Sequence, residues 1–84
     1  MKIEVLGMGC AKCKKLAGLA AQAVAELGVE AEIVKVEEVK EIMKYNVLST
    51  PGLVVDGQLK AAGRLPSLDE IKGFIQQAQG AQNE

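Results

Sequence analysis

The 84-residue chain predicts an α/β domain in the order β-α-β-α-β-β-α, with a four-stranded mixed sheet flanked by helices. Three observations predict it. An alternating run, Lys2-Ile3-Glu4-Val5-Leu6, leads through Gly7 and Gly9 into Cys10-Ala11-Lys12-Cys13 and a long Ala- and Leu-rich stretch. A second strand-like run follows that stretch, and strands joined through a helix are parallel with a right-handed crossover. Finally, Asp56-Gly57 stands between two short apolar runs, a strong hairpin signal.

Residues 2–6 suit a central strand ending in a flexible loop. Residues 11–27 form a helix, because Leu16, Leu19, Ala20, Ala23, Val24 and Leu27 recur at the spacing of an apolar stripe. Gly28 stops it. Gly18 inside this helix costs about 1 kcal/mol relative to Ala, or else it permits close packing; the pattern leaves both open. Residues 31–36 are the second strand. Residues 37–45 read as a short amphipathic helix with Val39, Ile42 and Met43 inward and Tyr45 at its margin. Val47-Leu48-Ser49-Thr50-Pro51 breaks that pattern. Residues 52–55 and 58–62 are the hairpin strands, and Gly63–Pro66 is a turn. Ser67 and Glu70 make a capping box for a last helix over about Leu68–Gln77, with Leu68, Ile71, Phe74 and Ile75 as its buried face. The expected domain spans residues 1–78, with 79–84 a frayed tail. The strand order should be 31–36, 2–6, 52–55, 58–62.

About half the residues are apolar, the net charge is −1, and aromatics are nearly absent, so the core is aliphatic. No histidine is present, which removes the usual general base, the usual neutral metal ligand and any Cys/His catalytic pair. No run approaches the ~18–20 apolar residues of a membrane span, and no basic-then-apolar leader pattern opens the sequence. A cytoplasmic, monomeric domain without membrane partners is the expectation. Near-neutral charge without a basic stripe or aromatic platforms argues against nucleic-acid binding.

Cys10 and Cys13 are the only cysteines. In a reducing compartment two cysteines argue for chemistry before structure. Their helix is predicted to begin at Ala11, where unpaired N–H groups and the positive end of the helix dipole favour a thiolate. The thiolate is the reactive form, and C-x-x-C in this setting is the signature of a dithiol/disulfide redox centre.

Cys10-x-x-Cys13 opening the first helix, Thr50-Pro51 before the third strand, the Val54-Val55-Asp56-Gly57 hairpin and Gly63 before the last helix together resemble the thioredoxin fold in its short, glutaredoxin-sized form. The chain is most similar to small archaeal and bacterial thioredoxin-like redox-active disulfide proteins. The resemblance implies a thiol–disulfide oxidoreductase without a separate cofactor, acting on disulfide-containing substrates and supplied by a thioredoxin-reductase-like donor. It makes Cys10 the exposed nucleophile and Cys13 the buried resolving cysteine. Pro51 would be a cis-proline facing the disulfide, and Thr50 would present its backbone to substrate. Only ~5–6% of X–Pro bonds are cis, so the cis expectation rests on the resemblance. The chain departs from thioredoxin proper by having Gly9 before the first cysteine and Ala11-Lys12 between the pair. It also lacks the Gly-Gly-acid pattern with which glutaredoxins hold glutathione.

Other residues have plainer readings. Lys14 and Lys15 read as solvated surface lysines, while Lys12 lies between the cysteines and stays open. Glu4, six residues before Cys10, is either a surface glutamate or a buried acid serving the resolving cysteine. Met8 reads as an apolar cover. The rival function is soft-metal carriage, because Gly7-Met8-Gly9-Cys10-Ala11-Lys12-Cys13 also resembles the loop of small Cu(I)-binding domains. Those domains run β-α-β-β-α-β, which the helix at 37–45 argues against.

Overall fold

The computed structural model describes residues 1–7, 9, 11–47 and 49–82. The readings made for Met8, Cys10, Leu48, Asn83 and Glu84 lie outside the described residues. The elements are β1 (Lys2–Leu6), α1 (Ala11–Leu27), β2 (Glu32–Val36), α2 (Val39–Met43), β3 (Gly52–Val55), β4 (Gln58–Ala62) and α3 (Leu68–Gln82). The four strands form one sheet in the order β2-β1-β3-β4. β1 pairs in parallel with β2, from Lys2↔Glu32 to Leu6↔Val36, and antiparallel with β3, from Ile3↔Val55 to Leu6↔Gly52. This order is not the β-α-β-β-α-β of the soft-metal domain.

Strand side chains alternate between faces, and β1 is covered on both. Ile3 and Val5 pack under α1 and α3 with Leu16, Ala20, Leu53, Ile71 and Ile75. Leu6 faces the other way, with Val54, Ile42 and Val47. Helix α1 ends as its glycine requires: Gly28 has φ of +64°, Val29 N–H donates to Val24 O, and Gly28 N–H to Ala25 O, both at 3.3 Å. That pair of bonds is a Schellman end. Asp56 and Gly57, at φ +48° and +82°, make the β3–β4 turn, as a type I′ turn demands. Asp56 also accepts from Lys2 N–H at 2.8 Å, tying the hairpin to β1. At α3 the capping box forms: Ser67 Oγ accepts from Glu70 N–H, and Glu70 Oε1 from Ser67 N–H, each at 3.2 Å.

Two expectations are corrected, and one choice left open is decided. The 37–45 helix is only Val39–Met43, hardly more than one turn, so a single side chain, Ile42, reaches the sheet. Val39 and Met43 stay 50% and 63% exposed. The last helix does not stop near Gln77 but runs to Gln82; once nucleated, a helix adds one hydrogen bond per residue fixed, and Ala78 still packs on the core. Gly18 has no atom within 4 Å of where a Cβ would stand, so close packing does not explain it.

Candidate active site

β1 runs out at Gly7, whose N–H donates to Val36 O at 2.9 Å and so continues the β1–β2 ladder. A Cβ placed on Gly7 would lie 2.1 Å from Cys13 Sγ and 3.7 Å from Thr50 Cβ. The Cys13 sulfur therefore rests on the Gly7 backbone, and Thr50 approaches the same point. Cys13 is the third residue of α1 and heads its buried stripe of Cys13, Leu16, Ala20 and Ala23. It is 5% exposed and disulfide-bonded. Cys10 lies outside the described residues.

The Thr50–Pro51 peptide is cis. Thr50 is exposed and Pro51 is buried. Pro51 O accepts from Gly63 N–H at 2.9 Å. Gly63, at φ +73°, also presses on this loop, since a Cβ there would lie 3.1 Å from Ser49 Cβ. Gly63 thus closes over the Ser49–Pro51 segment where a side chain would push it away.

A small cleft of about 40 Å³ reaches Cys13 between α1 and the sheet, lined by Val5, Gly7, Gly9, Lys14, Lys35 and Glu37. That is room for a few water molecules at most. Glu4 is not part of it. The Glu4 side chain is buried, 9% exposed for the residue, on the α2 side of the sheet. There it accepts from Tyr45 Oη at 2.7 Å and meets Lys2 Nζ at 3.3 Å. The bond to the Glu4 carboxylate holds the Tyr45 phenol above its ordinary range, with burial adding to it. The surface reading of Glu4 is corrected: the charge is buried because it is paired.

Of the site residues expected from sequence, Cys13 and Thr50 both approach the Gly7 backbone, and Pro51 follows Thr50 through the cis peptide. Gly7, Lys35 and Glu37 were not anticipated there. Gly7 reads as a loop glycine until the helix is laid over it. Lys35 had a usable signal, because pairing strand 31–36 in parallel with strand 2–6 sets it directly beside Val5.

A parallel strand–helix–strand unit, a disulfide-bonded cysteine in the first turn of its helix and a cis-proline loop against the same backbone define a thiol–disulfide oxidoreductase. Comparison with known proteins agrees. The family described as Thioredoxin domain matches residues 1–76, and the chain belongs to the thioredoxin family. It is 47% identical over 75 residues to a thioredoxin of Methanothermobacter thermautotrophicus, covering 89% of this chain and 97% of that one. It is 44% identical over 70 residues to a thioredoxin of Methanocaldococcus jannaschii, covering 83% and 80%. Thioredoxin 1 from Thermosipho africanus superimposes along the whole of both chains with a TM-score of 0.65 at 20% identity, a likeness of fold.

Proposed function

We propose that the domain is a cytoplasmic electron carrier that reduces disulfides through Cys10 and Cys13. The Cys10 thiolate attacks one sulfur of a substrate disulfide, and the other sulfur leaves as a thiol after taking a proton. The Cys13 thiolate then attacks Cys10 in the mixed disulfide, releasing the second substrate thiol and closing the Cys10–Cys13 bond. Two electrons pass to the substrate and two protons accompany them. A reductase of the thioredoxin-reductase type returns the pair to the dithiol, and no separate cofactor is needed. Thr50 offers its backbone to the substrate chain, and Pro51 sets the direction in which that backbone points.

The observation that carries the reading is the position of Cys13. It is buried and disulfide-bonded at the start of α1, on a glycine that the Thr50 side chain also approaches. A buried sulfur suits the resolving role, because it is reached only from within the mixed disulfide. The test is equilibration in defined glutathione or dithiothreitol buffers with free thiols counted by alkylation, followed by two variants. Cys10→Ser should abolish disulfide reduction. Cys13→Ser should accumulate a mixed disulfide with substrate, seen as a mass adduct. Preferential rapid alkylation of Cys13 over Cys10 in the reduced protein would reverse the assigned roles.

A further inference from the structure

Resting on that reading, we propose that the surface around Cys13 docks disulfide-bearing proteins whose disulfide is flanked by acidic residues, with Lys12, Lys14, Lys15 and Lys35 as the groups that select them.

The inference starts from where the cations find partners. The chain carries ten basic and eleven acidic residues. Lys2, Lys44, Arg64 and Lys72 are ion-paired, with Glu4, Glu41, Glu70 and Glu26 respectively. Lys60 donates to Gln58. Among the described residues, Lys12, Lys14, Lys15, Lys35 and Lys40 enter none of these pairs; Lys40 lies on α2, whereas Lys12, Lys14 and Lys15 stand on α1 within two residues of Cys13 and Lys35 lines the cleft that reaches it. Lys14 and Lys35 line the cleft that reaches Cys13, in which Glu37 is the one carboxylate among the described lining residues. Lys12 and Lys15, one and two residues from Cys13 on α1, are exposed. At 100° per residue, Lys12 and Lys15 fall on one side of the buried stripe that Cys13 heads, and Lys14 on the other. Positive charge therefore flanks the sulfur from two directions.

Among the described residues, no ion pair ties these lysines to the fold. No acidic residue stands in the first turn of α1, although acids are what the positive end of a helix dipole favours. Helix α3 of the same chain follows that rule with Asp69 and Glu70. Three like charges at the start of α1 repel one another and the helix end, and the relief they lack inside the molecule is supplied by carboxylates on a partner. The remaining charges set the limits of the face. Arg64, near the Pro51 loop, is already neutralised by Glu70. Beyond Lys35 the sign turns negative at Glu37, Glu38 and Glu41. Exposed charges of this kind steer encounter more than they tighten it, so the effect belongs in the association rate.

The test uses the full chain, reduced and freed of reductant, and two cystine peptides of equal length, one with Glu and one with Lys on both sides of the disulfide. At low ionic strength the acidic peptide should be reduced roughly tenfold faster or more, within the range known for steered encounter. The difference should collapse near 0.5 M salt, where screening acts within a few ångströms. The combined variant K12Q/K14Q/K15Q should remove most of the preference, Lys35 keeping the remainder, while reducing neutral 2-hydroxyethyl disulfide as fast as the parent. Lys60→Gln should leave both peptide rates unchanged. Equal rates for the two peptides, with the neutral disulfide still reduced, would overturn the docking face alone. Failure to reduce any of the three would overturn the redox reading with it. Equal slowing of the neutral disulfide in the triple variant would show that the lysines act on the cysteines themselves, and would also overturn docking. An enhancement as large for the small dianion 3,3′-dithiodipropionate as for the acidic peptide would assign the face to small anions and overturn protein docking.

Discussion

Gly7 leaves no room for a methyl group, because Cys13 Sγ already occupies the place. Gly7→Ala must push α1 or the cysteine aside, and overpacking of this kind costs about 1–3 kcal/mol. Urea unfolding should read that loss, together with slower disulfide reduction. Gly18 is the opposite case. Nothing stands near its would-be Cβ and it lies inside α1, so Gly18→Ala should raise stability by about 0.4–1 kcal/mol. Tyr45 is the single tyrosine in a chain without tryptophan, which makes its phenol directly observable. Its pKa is raised chiefly by the hydrogen bond it donates to Glu4. A raised folded-state value means that the stabilisation is fully present below the unfolded pKa of about 10. It is lost as pH climbs through the higher folded value. Absorbance at 295 nm should show the titration displaced upward in the native protein and moved back toward the ordinary value in Glu4→Gln. At neutral pH, Tyr45→Phe should cost about 1.5–3 kcal/mol, the range for a hydrogen bond to a charged group.

The helices differ in what holds them. α1 carries a full buried stripe and a Schellman end, and α3 a capping box and two fully buried isoleucines. α2 has one anchor. Ile42→Ala should therefore cost about 2–5 kcal/mol, while Met43→Ala, one residue on and exposed, should stay within about 0.5 kcal/mol. Chemical denaturation of the two variants side by side distinguishes this arrangement from one in which Val39, Ile42 and Met43 all face inward. At α3, Ser67→Ala removes the acceptor for Glu70 N–H and should cost about 1 kcal/mol.

The two cores are not independent, because they lie on opposite faces of the same strands. β1 gives Ile3 and Val5 to one and Leu6 to the other; β3 divides Leu53 and Val55 from Val54 in the same way. Losing either core strips one face from both central strands. Unfolding should be a single transition. Tyr45 emission reports the core under α2, and far-UV dichroism reports mainly α1 and α3; the two should give coincident midpoints in urea. Separate midpoints would mean that the α2 side opens on its own.

Most of the architecture was legible along the chain because its causes are local. The α1 stripe repeats within one or two turns, Gly28 and the Ser67–Glu70 box act within four residues, and Asp56-Gly57 makes its own turn. Cys13 at the head of a helix needed only the spacing of the cysteines and the pattern behind them. What the linear pattern left undetermined depends on partners distant along the chain. Glu4 is buried because Tyr45, forty-one residues away, meets it on the α2 side of the sheet. α2 is too short for its apolar spacing to show how many side chains reach the sheet, and the fold admits one. Gly7 is constrained only once Cys13 lies on it, and Lys35 joins the site only through strand register. Periodicity records which face a residue takes; which residue stands opposite is set by how the faces close, and that is a property of the packed molecule.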